Sequence, residues 1–175
     1  MPNRRILLQT SALAWVAPVW AQGNQAALPK LGTVLRLPDV KLLGGTIWTP
    51  QNQAASTLVV YWWASWCPFC AVQSPHIEAL WQAQKANGLQ VLALSIDRQE
   101  SAASGYMLSK GYSFAAGMVT PEMAKMLPKP KGLPVVVVVK LAKVKPGVGP
   151  REGTVVFAES GEMFPEDIAG LKKYL

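Results

Sequence analysis

Residues 56–70 read Ser-Thr-Leu-Val-Val-Tyr-Trp-Trp-Ala-Ser-Trp-Cys-Pro-Phe-Cys, from Ser56 to Cys70, and their order decides the fold. From Ser56 to Trp63 the side chains are mostly β-branched, aromatic or leucine, and nearly continuous in apolarity. Such a run fits a strand buried on both faces, as in a parallel or mixed central sheet. It runs straight into Cys67. Beyond it, Ile77, Leu80 and Trp81 repeat at helical spacing, and Asn87-Gly88 supplies the stop.

Working outward, residues 89–96 form a second buried-strand candidate, and residues 99–110 a second helix that ends at Gly111. Residues 121–127 read as a short helix. Pro134 to Val139, five valines after a proline, is the strongest strand signal in the chain. Residues 154–158 look like its hairpin partner, and residues 165–174 like a closing helix. Upstream, residues 33–49 alternate short apolar patches with Pro38-Asp39 and Gly44-Gly45, the pattern of a small β-hairpin. The stretch over about residues 141–152, up to and including Arg151, is rich in Lys, Pro and Gly. It exceeds the ~2–5 residues of a usual hairpin loop, so an exposed, mobile excursion is expected there. No internal repeat is visible. Strands and helices alternate, then a terminal hairpin and helix follow, which gives an α/β domain with a central mixed sheet flanked by helices.

At 175 residues the chain fits one domain, and half of its residues are hydrophobic, which supports a sizeable core. Its first residues carry a separate message. Asn3-Arg4-Arg5 precedes an apolar run from Ile6 to Trp20, with small residues at Val19 and Ala21. This is the layout of a signal peptide over residues 1–21, cleaved before Gln22. The run is interrupted by Gln9, Thr10 and Ser11 and falls short of the ~20 apolar residues a spanning helix wants. The paired arginines also fit a twin-arginine export route. Residues 22–32 read as a flexible lead-in and residues 33–175 as the folded domain. The expected location is the periplasm, with membrane association only if the signal is retained. The formal charge is +7, and losing Arg4 and Arg5 leaves 7 − 2 = +5. The remaining positive charges are scattered and lack interleaved aromatics, so no nucleic-acid partner is expected.

The chain has only two cysteines, Cys67 and Cys70. Closing so small a loop removes little chain entropy, so stabilisation is a poor reason for the pair. A Cys-x-x-Cys opening a helix has a chemical reason instead. The unpaired N–H groups and the macrodipole of a helix N-terminus stabilise a thiolate. The second cysteine, about one turn further in, is then close enough to attack a mixed disulfide. Pro68 suits the first helical position, where its missing N–H costs nothing.

Trp62-Trp63-Ala64-Ser65-Trp66-Cys67-Pro68-Phe69-Cys70 resembles the active-site strand and turn of the TlpA/ResA-type thioredoxin-like proteins, disulfide reductases of the bacterial envelope. Pro75 falls where those proteins bend the active-site helix, and Pro134, after Gly132-Leu133, where they carry a cis-proline. The resemblance covers roughly residues 33–175. It implies a thioredoxin fold with an extra N-terminal β-hairpin, and a redox-active Cys67–Cys70 disulfide with no other cofactor. It also implies an exposed attacking thiol at Cys67, a resolving thiol at Cys70, and a groove shaped by Leu133 and Pro134 for a partner's extended backbone. Trp66 would shield one side of the thiol. The implied partners are disulfide-bearing client proteins and a membrane thiol electron donor. Two departures stand out. Many thioredoxins keep a buried acid six residues before the first cysteine; here that residue is Tyr61, with Asp97 at the end of the second strand a weak candidate to replace it. The intervening dipeptide is Pro68-Phe69 rather than the frequent Pro-Pro, so the reduction potential does not transfer.

A Cu(I) carrier is the rival from another class, because thiolates and the sulfurs of Met107, Met118, Met123, Met126 and Met163 suit that ion. No tight Met/His cluster accompanies the cysteines, and methionines so spaced read as core filler. His76, the single histidine, leaves a zinc site one ligand short, and helical spacing turns it from the helix start. Haem attachment would need a histidine where Ala71 stands. A peroxiredoxin-like peroxidase is disfavoured because the Trp-Cys-x-x-Cys turn is not that family's peroxidatic site. No metal is expected.

Overall fold

The computed structural model describes residues 27–144 and 150–175. The expected signal peptide, residues 22–26 of the lead-in, and residues 145–149 of the basic excursion lie outside the described residues.

Strand β4 (Thr57–Trp63) is buried along its whole length at the centre of a six-stranded mixed sheet. The order is β1-β8-β7-β4-β5-β6, with β1 (Val34–Arg36), β5 (Leu89–Ser95), β6 (Ala115–Met118), β7 (Val135–Leu141) and β8 (Glu152–Ser160). Strands β4, β5 and β6 run parallel; β7 is antiparallel to β4, β8 to β7, and β1 to β8. The two-residue period of β4 divides its side chains between two cores. Val59, Tyr61 and Trp63 join Val136 and Val138 on one face, under α1 (Pro68–Gln84), α2 (Glu100–Lys110) and α4 (Pro165–Gly170). Leu58, Val60 and Trp62 join Val135, Val137 and Val139 on the other, under α3 (Pro121–Met126) and a hairpin of β2 (Val40–Lys41) and β3 (Ile47–Trp48).

Three findings differ from the sequence reading. Within residues 33–49 the expected extra hairpin is present as β2 paired with β3, but β1 ahead of it joins the main sheet beside β8. Strand β6 was not anticipated. Its Ala-Ala-Gly-Met sequence lacks the bulky side chains that mark strands. It forms because β5 supplies a parallel partner, and because the β2–β3 turn lies against it, with Leu43 donating its N–H to Ala116 at 2.9 Å. Glycine is required there: a Cβ on Gly117 would lie 2.6 Å from the Lys41 carbonyl oxygen. Third, Arg151 is not part of an exposed excursion. It is 6% exposed, and its guanidinium donates to the carbonyls of Pro50, Gln53, Ala55 and Ala142. Strand β7 extends through Leu141 and β8 begins at Glu152, which shortens the irregular stretch from both sides.

The lead-in is also tied down near its end, where Gly32 donates to the Val155 carbonyl at 2.8 Å. Among the described residues no helix is long and apolar enough to cross a membrane.

Candidate active site

Strand β4 delivers the chain to the C-terminal end of the parallel strands, and the turn that follows is held from the side. Asp97, just after β5, accepts from the Ser65 N–H at 3.0 Å, the Ser65 hydroxyl at 2.7 Å and the Ser95 hydroxyl at 2.7 Å. These charge-assisted bonds fix the residue immediately before Trp66 and Cys67. Asp97 is therefore committed to the turn, which gives it a bracing position on Ser65 and not the buried acid's place six residues before Cys67.

Cys67 is the N-cap of α1, with extended backbone angles, and Pro68 occupies the first turn. Its Sγ accepts a hydrogen bond from the Cys70 backbone N–H at 3.2 Å. A sulfur in that position faces the unpaired N–H donors and the positive end of a 17-residue helix. Neither cysteine is in a disulfide. The resemblance implied an exposed Cys67, and the structure corrects this: the residue is 4% exposed and Cys70 1%. The surface at this corner is instead made by Trp66, Phe69 and Val72, at 64%, 54% and 53% exposure, with exposed Pro68 between them. Burial, and then the hydrogen bond with Cys67, push the Cys70 thiol up to about 12.

Pro134 follows a cis Leu133–Pro134 bond, as the resemblance implied. Leu133 packs against the cluster that contains both cysteines. The approach to the bond is braced by residues that sequence reading missed. The Lys129 ammonium donates to the carbonyls of Pro130 at 2.6 Å and Gly132 at 2.9 Å, and the Ser160 hydroxyl donates to Lys131 at 2.7 Å. Lys129 also interacts electrostatically with Cys70, which partly offsets the downward shift that burial imposes on the amine. On the other side, Gln73 is fully buried and accepts from the Met163 N–H at 2.8 Å, tying the chain ahead of α4 to α1.

Tyr61, in the position where many thioredoxins carry an acid, is fully buried beneath the cysteines. Its hydroxyl lies 3.0 Å from the Ser74 Oγ and donates to the Cys70 carbonyl at 3.4 Å, while the Ser74 hydroxyl donates to the same carbonyl at 2.7 Å. Pro75 sits inside α1, where it removes one helical hydrogen bond. His76 is half-buried and lines a shallow cleft with Pro165 and Lys172, on the α4 side of α1. Met107 and Met163 are buried in the same core cluster as the cysteines, and Met123 in the opposite one. Among the described residues no group of three or more His, Cys, Asp or Glu side chains could hold a metal ion.

Residues 35–116 match the family model described as AhpC/TSA. Among solved structures, a thiol:disulfide interchange protein of the thioredoxin family from Chlorobium tepidum superposes with a TM-score of 0.69, at 17% identity over 83% of this chain and 97% of that one. The fold is thioredoxin-like. A secreted disulfide oxidoreductase of Mycobacterium tuberculosis, homologous to the E. coli protein DsbE, aligns with this thioredoxin-like chain at a TM-score of 0.62 and 16% identity. That match covers 79% of this chain and 96% of that one. StoA from Bacillus subtilis gives 0.59 and 14%, covering 82% and 99%. No curated protein matches by sequence. The TlpA/ResA-type resemblance read from residues 62–70 thus meets thiol:disulfide interchange proteins among its structural neighbours.

Proposed function

We propose that this chain is an exported dithiol–disulfide oxidoreductase that reduces disulfide bonds of envelope proteins. The observation that supports it most is the Cys67 sulfur capping α1, with Cys70 one turn behind and the cis Leu133–Pro134 bond ahead of β7. In the proposed reaction the Cys67 thiolate attacks one sulfur of a client disulfide and expels the other as a thiolate. Cys70 then loses its proton to solvent and attacks Cys67. The Cys67–client bond breaks and the Cys67–Cys70 bond forms. The client gains two electrons and the pair loses two, which a membrane thiol donor would restore. Leu133 and Pro134 would align an extended client segment, and Trp66 and Phe69 would give it an apolar contact.

The test is reduction of a peptide disulfide by the dithiol protein. Turnover should vanish in Cys67→Ser, and Cys70→Ser should accumulate a mixed disulfide. Equilibration with glutathione fixes the direction, and a potential near about −120 mV, where strong oxidants lie, would refute the reductase assignment. Faster turnover of hydrogen peroxide than of disulfides would refute the exchange reaction. Tight anaerobic Cu(I) binding that disappears in Cys70→Ser would favour the copper carrier instead.

A further inference from the structure

We propose that the Tyr61 hydroxyl, held by Ser74, is the hydrogen-bond donor that stabilises the Cys70 sulfur as it ionises to resolve the mixed disulfide. The proposal rests on the dithiol exchange above and assigns the resolving half of it.

The geometry carries the case. The register of β4 turns Tyr61 toward α1, between Ala93 on β5 and Val136 on β7, with no access to water. Its hydroxyl reaches the Cys70 backbone carbonyl, and a second hydroxyl, Ser74, one helical turn along, meets both the phenol and that carbonyl. That carbonyl already accepts the shorter bond from Ser74, at 2.7 Å against 3.4 Å from the phenol. Because the single Ser74 proton goes to that carbonyl, the phenol donates to Ser74 Oγ at 3.0 Å, which holds the hydroxyl beside Cys70, from where its proton can turn to the neighbouring sulfur when charge develops there. The ionisable groups that act on Cys70 are Cys67 at the N-cap, Tyr61 from β4, Tyr106 from α2 and Lys129 from the segment before Pro134. Asp97 is held by Ser65 and Ser95.

The role is donation, not proton abstraction. Burial, and next the charge of the Cys70 sulfur, push the phenol above its usual range, so it keeps its proton throughout the reaction. A hydrogen bond from that phenol to the sulfur acts against the upward push on Cys70. The Cys70 proton therefore goes to solvent, as in the reaction above. A neutral donor lowers the energy of the thiolate, as hydrogen bonds to a charged form do.

The experiment compares the full chain with Tyr61→Phe, which keeps the ring in its packing. In a Cys67→Ser background, the titration of Cys70 is followed by thiolate absorbance, and its midpoint should rise by about one unit in the phenylalanine variant. With both cysteines intact, stopped-flow reaction with oxidised glutathione separates mixed-disulfide formation from resolution. Formation should be unchanged and resolution about tenfold slower. An unmoved midpoint overturns the proposal, and so do formation and resolution slowing together. Ser74→Ala, which removes the oxygen that holds the phenol, serves if Tyr61→Phe does not fold; its midpoint should rise, and an unmoved one again overturns the proposal. A parent chain that forms no mixed disulfide refutes the exchange reaction, while the Cys70 titration still decides the role of Tyr61.

Discussion

Replacing Arg151 by methionine should be among the most damaging single changes outside the cysteine site. The side chain is buried and satisfies four backbone carbonyls: Ala142 at 2.8 Å, Pro50 at 3.1 Å, Gln53 at 2.6 Å and Ala55 at 3.0 Å. Three of these lie 96 to 101 residues away in sequence, in the segment that enters β4. Methionine fills the space of the aliphatic stem but leaves the carbonyls without their donor. Each hydrogen bond to a charged group contributes about 1.5–3 kcal/mol, and part of that returns as water reaches the vacated oxygens. A net loss of about 3–5 kcal/mol is expected, as when one partner of a buried charged contact is removed. With a urea m-value of about 2 kcal/mol per M, the midpoint should fall by about 1.5–2.5 M. Arg36→Met is the control. Its ion pair with Glu152 has side chains 72% and 48% exposed and should contribute less than about 1 kcal/mol. If the two variants unfolded at the same urea concentration, the reasoning about Arg151 would be wrong.

Three further outcomes follow from the site and the sheet. Cys70, pushed up to about 12, should in a Cys67→Ser background react slowly with iodoacetamide at neutral pH and accelerate steadily well above pH 9. Because its folded pKa lies above the unfolded value of ~8.5, the stability this gives the dithiol form is complete below that pH and is lost as pH rises toward 12. Alkaline urea titrations should show this loss in the dithiol form but not from Cys70 in the disulfide form. Asp97→Ala removes the acceptor of three hydrogen bonds at Ser65 and Ser95 and should cost about 2–3 kcal/mol. It should also slow mixed-disulfide formation more than resolution, because it loosens the turn that carries Cys67; equal slowing of both steps in stopped-flow would count against that reading. Gly117→Val drives a side chain into the Lys41 carbonyl and the Val40 side chain, and should lower stability by about 1–3 kcal/mol with Cys67 alkylation kept at the parent rate.

What was legible in the sequence follows the physics of each element. Strand β4 and its successor helix could be read because every β4 position faces a core and because Cys67, Pro68 and Gly88 punctuate the boundaries. The valines of β7 announce themselves for the same reason. Strand β6 could not be read, since Ala115 to Met118 has no intrinsic preference that survives without β5 and the β2–β3 turn. Arg151 sits beside prolines and glycines, a context in which arginines are usually solvated, and three of its four acceptors lie 96 to 101 residues away in sequence. The cysteine pair was visible from spacing alone, but its bracing was not. Ser65 and Asp97 are 32 residues apart, and only parallel pairing of β4 with β5 brings them together. The Ser74–Cys70 spacing was there to be seen as one helical turn, whereas the phenol of Tyr61 enters through packing.

The β2–β3 turn has one consequence for how molecules of this chain meet one another. Strand β6 ends the sheet, and an uncovered end strand is a template on which a second polypeptide can lay itself. Leu42 and Leu43 occupy that rim through the bridge to Gly117 and the bond to Ala116, so the row of backbone groups is capped from within. The hairpin therefore acts as a stopper against lateral growth, and shortening it would leave β6 open to edge-to-edge stacking.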